Sequence, residues 1–301
     1  MNKLKSMIAL AVACFGLFGL GRAETMNAQA TVAKVTGKAT VTAPDGSTTP
    51  VTFGMMLPQG SVITTADGEV FVQVHAHTIA VVKSNSTVSI DELSVTTEGG
   101  KVTKETTALN LRNGNLVSML DPAKRAVNNY EVRTPKGVAA ARGTSYSVGF
   151  SGETGRYTVE ATTGHVEITS PSGQVITISG GQVSLSDFGD GKPTNIDDLP
   201  DDQKAEVIQA MATAIGTLAQ ANELGIAPAG ELNDAVNTVL KASPGAATVI
   251  SNQVQATAPG QSSAVQHAIN SSQPASNAPT YTPPATTTPQ PIDPATVSRS
   301  K

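Results

Sequence analysis

The chain has 301 residues, of which 39% are hydrophobic, 3% aromatic and none tryptophan, and its 20 basic residues stand against 24 acidic ones for a formal charge of −4. That length allows one sizeable domain with appendages, and a core made mostly of valine, alanine and threonine favours thin, regular β architecture over a bulky α/β core. The acidic balance excludes a nucleic-acid binder of the usual basic kind, and a single cysteine excludes a disulfide framework.

In chain order, Met1 to Ala23 place Lys3 and Lys5 before an apolar run from Met7 to Leu20 and end in Gly21-Arg22-Ala23, the pattern of a secretory signal peptide. Its removal leaves 17 basic residues against 24 acidic ones. The mature product is expected to be exported, in the periplasm or outside the cell. It is expected to have no transmembrane helix, because no later stretch approaches the ~20 apolar residues that spanning requires. Ala11-Val12-Ala13-Cys14 resembles a lipoprotein cleavage box but lacks the usual leucine ahead of the cysteine, so simple cleavage is favoured over anchoring through Cys14.

From about Thr31 to Leu185 the chain consists of short alternating runs punctuated by glycine and proline. Thr31–Val35 and Lys38–Thr42 flank Gly37, Pro44-Asp45-Gly46-Ser47 is a turn, and Val62–Thr65 leads through Asp67-Gly68 into Val70, Val72 and Val74 on one face. His75 and His77 follow, and on a strand they would share a face, a spacing that could seed a metal site. With no third ligand nearby and a turn expected at Ala76 to Thr78, a structural role is favoured. Ile79, Val81, Val88 and Ile90 continue the alternation, Asp91 to Lys104 reads as an exposed loop or edge hairpin, and Leu109 to Val117 reads as strand, turn, strand.

The stretch Val132 to Val148 joins a turn to two strands. Pro135 cannot donate to a ladder and Gly137 tolerates positive φ, so Thr134 to Gly137 turns the chain. Val138, Ala140 and Arg142 then alternate with Ala139 and Ala141 until Arg142-Gly143-Thr144 interrupts the run, as a bulge or close backbone approach would. Arg133 and Arg142 could meet a carboxylate or phosphate bidentately. Embedded in turn signals, they are expected instead to hydrogen-bond turn carbonyls, which makes Arg142→Ala a stability lesion before a binding one. Tyr157–Ala161, His165–Thr169, Gln174–Ile178 and Gly180–Leu185 complete at least ten strands with no helix between residues 31 and 185, an all-β domain of sandwich, roll or solenoid kind.

The ordered set Gly37, Gly54, Leu57, Gly60-Ser61, Ile63, Thr65, Gly68, Ser86, Leu111, Gly114, Val132-Arg133-Thr134-Pro135, Arg142-Gly143-Thr144 and Val148 resembles the FecR domain, the periplasmic β-module of iron-uptake transmembrane regulators. Glu160, Gly164-His165-Val166 and Gly180 to Val183 are similar to that family's closing strands. The resemblance covers roughly half the chain and implies a twisted β-solenoid-like or β-roll fold used for interaction, with no catalytic residue to carry over. Two departures stand out. His75-Ala76-His77-Thr78 replaces an Asp-Gly-Ser-like turn, and only a signal-like segment precedes the module, where a regulator of this kind has a sigma-factor-binding domain and a membrane helix.

The β domain is thus expected over 24–190, followed by a polar linker at 191–199. A calcium loop beginning at Asp187 is disfavoured, since glycines fall at ligand positions and no glutamate closes it. Asp201 or Asp202 is expected to cap a helix reaching about Leu224, with Val207, Ile208, Met211, Ile215 and Leu218 at helical spacing. Pro228-Ala229-Gly230, Ser243-Pro244-Gly245 and Ala258-Pro259-Gly260 open three short units, so 200–270 reads as a small array of helical repeats covering one another. Residues 271–301, rich in Pro, Thr and Ser, read as a disordered tail.

No Gly-x-Ser-x-Gly elbow, Walker sequence or suitably spaced carboxylate pair is present, and His75, His77, His165 and His267 sit in no recognisable motif, so the chain is read as not an enzyme and without a cofactor or metal. The leading expectation is an exported, non-enzymatic FecR-domain protein acting as an interaction or scaffold module toward an envelope protein or cell-wall component. A second reading is an accessory sensor in envelope signalling or transport regulation, and a third an extracellular hydrolase. The candidate structural or interaction residues are Arg133, Thr134, Pro135, Arg142, Gly143 and Thr144. No oligomeric state follows from the sequence.

Overall fold

The computed structural model describes residues 23–185 and 192–272; the signal-like segment, residues 186–191 with the calcium-loop candidate at Asp187, and the Pro/Thr/Ser-rich stretch from residue 273 lie outside them. The chain is strand-rich, at 44%. In order the strands are β1 (Glu24–Asn27), β2 (Gln29–Val35), β3 (Ala39–Thr42), β4 (Thr48–Pro50), β5 (Met56–Pro58), β6 (Val62–Thr65), β7 (Val70–His75), β8 (Thr78–Val82) and β9 (Thr87–Glu98). They continue with β10 (Lys101–Leu120), β11 (Asn128–Thr134), β12 (Gly137–Ala141), β13 (Ser145–Phe150), β14 (Tyr157–Ala161), β15 (His165–Thr169), β16 (Val175–Ser179), β17 (Gln182–Leu185) and β18 (Thr194–Asn195).

One sheet runs β4-β3-β6-β9-β10-β11-β12-β15-β16, with β1 alongside the far half of β9. The other runs β5-β2-β7-β8-β10-β13-β14-β17-β18. Among the described residues all ladders are antiparallel except β10 with β11. The two sheets are therefore one hydrogen-bonded system folded at β10, and among the described residues it does not close into a barrel.

The fold at β10 corrects the strand, turn, strand expected at Leu109 to Val117. Up to Asn113 the strand pairs with β9 and β11, and from Gly114 onward with β8 and β13. Asn113-Gly114 is thus a change of sheet within one extended strand. Gly114 has φ +94°, and a Cβ there would lie 2.1 Å from Ser86 Oγ, so the two sheets meet at this point closer than any side chain permits. The Asp91 to Lys104 region is the hairpin alternative, turning at Gly99-Gly100.

Alternation along each strand makes two cores. Between the sheets lie Val70, Val72, Val74, Ala80, Val82, Leu116 and Leu120 of the second sheet against Ile63, Val88, Ile90, Leu109, Leu111, Tyr130 and Val132 of the first. The opposite side chains of the second sheet, Phe71, Ile79, Val81, Val117, Met119, Val183 and Leu185, enter a separate core with the helices α1 (Asp201–Glu223), α2 (Glu231–Ala242), α3 (Ala247–Thr257) and α4 (Ser262–Ser272). The second sheet is consequently buried on both faces. The helices do more than cover one another. Met211, Ile215 and Leu218 of α1 share the core of the sheet side chains, because one long helix and three of 11 or 12 residues hold too little apolar surface to stand alone.

Polar contacts fix the docking: Lys34 meets Gln220 and sits 5.1 Å from the Phe71 ring, and Lys83 bridges Glu69 and Thr217 Oγ1. α2 lies over the β16–β17 turn, where a Cβ on Gly181 would be 2.5 Å from the Ala242 Cβ. Within the stretch expected as a linker, β18 extends the second sheet and Ile196 is buried in the helical core. Pro200 occupies the N-cap of α1 with no side-chain cap; Asp201 and Asp202 instead fall in its first turn, where they complement the helix dipole. Single 3-10 turns at Pro244–Ala246 and Pro259–Gln261 lead into α3 and α4, as the proline-led units imply.

Candidate functional site

Passage between sheets places the backbone at tight corners. At Arg142-Gly143-Thr144 the chain leaves β12 in the first sheet for β13 in the second. Gly143 has φ +66°, and a Cβ would stand 2.5 Å from the Pro122 Cα. Thr144 is buried; its Oγ1 donates to the His165 carbonyl at 3.1 Å, and its own carbonyl accepts from the Leu120 amide at 3.1 Å. Thr134-Pro135 forms the β11–β12 turn, where Thr134 Oγ1 donates to the Gly137 carbonyl and accepts from the Lys136 amide.

The arginines differ from expectation. Arg133 pairs with the Glu131 carboxylate, and Arg142 is exposed and donates to Asn129 Oδ1 at 3.4 Å, so each guanidinium meets a side chain in place of the expected turn carbonyl. The reason is parity. Tyr130 and Val132 of β11 and Ala139 and Ala141 of β12 face the core, which turns Glu131, Arg133, Val138, Ala140 and Arg142 to the outer face of the first sheet.

That outer face is the broad sheet surface that neither core covers. Across it, Asn110 lies opposite Arg133, Ala140 lies between Glu131 and Glu167, and Val138 lies between Arg133 and Thr169. Asp91 accepts from Ser89 Oγ at 2.7 Å and from Asn110 Nδ2 at 3.3 Å. The result is a flat surface with two arginines, three carboxylates and a small-residue floor at Val138 and Ala140. Sequence reading found the arginines and missed Asp91, Asn110, Glu131 and Glu167, although each holds the outward position in its strand's alternation.

The turn expected at Ala76 to Thr78 is present at Ala76-His77, so His75 and His77 do not share a strand face. His75 is buried. Burial holds its pKa below the ordinary value, opposed by the Glu105 carboxylate and by a hydrogen bond with the Thr106 backbone. His77 is half-exposed, 3.6 Å from Asp121, whose other oxygen accepts from the Ala123 amide. Among the described residues no group of three or more His, Cys, Asp or Glu gathers as metal ligands would. His165 Nδ1 lies 3.1 Å from Ser179 Oγ on the exposed side of β15 and β16. No helix among the described residues is long and apolar enough to cross a membrane.

Residues 60–167, from the corner before β6 into β15, match the family model described as FecR protein, and this stretch of the chain carries that family's domain. No curated protein matches the chain. A crystal structure of a candidate anti-sigma factor from Parabacteroides distasonis ATCC 8503 at 1.65 Å resolution is similar at 14% identity and TM-score 0.35, covering 44% of this chain and 56% of that one. A second, at 2.50 Å, is similar at 13% identity and TM-score 0.30, covering 57% of this chain and 59% of that one. The chain thus spans less than two thirds of the length of these structures.

Proposed function

We propose that the chain is an exported, non-enzymatic interaction module of the cell envelope, engaging a protein partner through the outer face of its first sheet. The carrying observation is asymmetry: the helices occupy the outer face of the second sheet, while the first presents a flat polar face on a FecR domain. Backbone groups there are satisfied within the sheet, so recognition falls to Arg133, Arg142, Glu131, Asp91 and Glu167, with Val138 and Ala140 as the floor. The repeated crossing between sheets supports the roll-like winding that the family resemblance implies. The FecR match favours, as a second reading, an accessory sensor that passes a signal through its partner.

Cell fractionation of the tagged full chain, followed by capture on it, tests the proposal. A protein enriched from the envelope fraction and lost with Arg133→Glu/Arg142→Glu supports it. Retention of the tag in the cytoplasm, or capture indifferent to the double change, refutes it.

A further inference from the structure

At the end of the two-sheet core beside His75, polar side chains occupy positions where the alternation leads inward. Leu111 and Leu109 of β10 are followed by Thr107 and Glu105, Val132 and Tyr130 of β11 by Asn128, and Val82 and Ala80 of β8 by Thr78. His75 is brought opposite Thr78 by a bulge after Gln73. Glu105 and Asn128 are ladder partners, and Asn128 Nδ2 donates to Thr78 Oγ1 at 2.7 Å. His75 Nε2, Glu105 Oε2, Thr107 Oγ1 and Asn128 Oδ1 are then left buried with no hydrogen-bond partner. All four residues are at most 9% exposed.

A buried group of this kind is retained when something completes it. With the Asn128 amide nitrogen engaged by Thr78, the amide oxygen and the carboxylate oxygen can only accept, the imidazole nitrogen accepts while its ring is neutral, and Thr107 can do either. Burial favours the neutral ring. A ligand complementary to these groups is therefore rich in donors and positively charged. A divalent metal fits poorly, since His75 and Glu105 alone supply too few strong ligands. An ammonium group supplies three donors and one charge to Glu105. Of the four, Glu105 also lines a cavity of about 370 Å³, whose other walls include Ala76, His77, Val102, Ala126 and Val127, with Lys124 at the rim. That volume accommodates a small ligand and is too large for a bare ion.

We propose that this cavity binds a free amino acid, its ammonium seated on Glu105 where the cavity meets the buried polar cluster and its carboxylate directed to Lys124. The site lies among inward-facing side chains, so it stands or falls independently of docking on the outer face of the first sheet.

The full chain should be titrated by calorimetry and thermal shift with each standard L-amino acid at up to about 10 mM, beside the matching deaminated acid, such as propionate for alanine. At least one amino acid should raise the melting midpoint and its deaminated counterpart should not. Glu105→Gln should weaken that binding by on the order of tenfold or more, and Lys124→Met, which removes the charge assigned to the carboxylate, by a smaller factor. Absence of binding by any amino acid, equal binding of the deaminated acid, or unchanged affinity in Glu105→Gln would each overturn the proposal. Should Glu105→Gln fail to fold, unchanged affinity in Lys124→Met overturns it equally.

Discussion

The Arg-Gly-Thr unit divides its labour residue by residue. Arg142 is exposed, Gly143 makes room for Pro122, and Thr144 ties the corner to His165. The stability lesion expected at Arg142 therefore belongs to its neighbour. Gly143→Ala combines a left-handed φ with a backbone clash and should lower unfolding free energy by about 1–3 kcal/mol, whereas Arg142→Ala should stay within about 0.5 kcal/mol. Urea midpoints of the two variants measure the contrast.

Glu160 offers a pH test at the same scale. It faces the helices, hydrogen-bonded to Ser147, and burial raises its pKa above the ordinary carboxyl value of 4.5. An acid held more tightly in the folded state contributes stability below its unfolded value, and that contribution is lost as pH rises through the folded one. Glu160→Gln should thus raise the melting midpoint near neutral pH, and the gain should shrink to nothing below pH 4.5. A gain that grows toward acid contradicts the assignment. Tyr130 and Tyr146, packed edge to face at 6.4 Å, both have pKa values raised by burial and obey the same sign, so stability should fall as pH climbs above the ordinary phenol value of 10.0.

Among the elements, the helices and the second sheet form the decisive contact. The sequence makes the helices legible, because the proline-led starts and the spacing of Val207, Met211, Ile215 and Leu218 are local. It also hints that β8 is buried twice over, since Thr78-Ile79-Ala80-Val81-Val82 offers apolar side chains in both directions. It does not say that the two belong together, because α1 and β8 are separated by more than a hundred residues and nothing local encodes their pairing. Gly114 misled for a related reason: Asn-Gly is a turn signal in isolation, and only the partners on either side make it a change of sheet.

If helices and sheet share one core, Met119→Ala should cost about 2–5 kcal/mol and shift the helical signal at 222 nm and the near-ultraviolet tyrosine signal by the same amount. Separate transitions would contradict a shared core. A fragment ending at residue 185 would expose Phe71, Ile79, Val81, Val117 and Met119 as one apolar face, and it should self-associate where the full chain does not. Light scattering of the two at equal concentration decides this.

Taken whole, the molecule is two sheets joined through β10, with one outer face closed by helices and the other open. Much of the first sheet's character is written in the sequence as glycines at corners and small residues in β12, which is why a resemblance carried by scattered glycines and one Arg-Gly-Thr unit locates the domain. The open face is legible only after the parity of each strand is known, because Asp91, Asn110, Glu131 and Glu167 come from separate strands and converge through pairing. The central claim, that this face meets the partner, is tested most directly by photo-cross-linking in cells. A photoreactive residue at Asn110, Ala140 or Glu167 should give a discrete adduct with one envelope protein, and the same residue at Gln209, Asn237 or Gln266 on the helices should give none. Adducts from the helix positions with none from the sheet would contradict it.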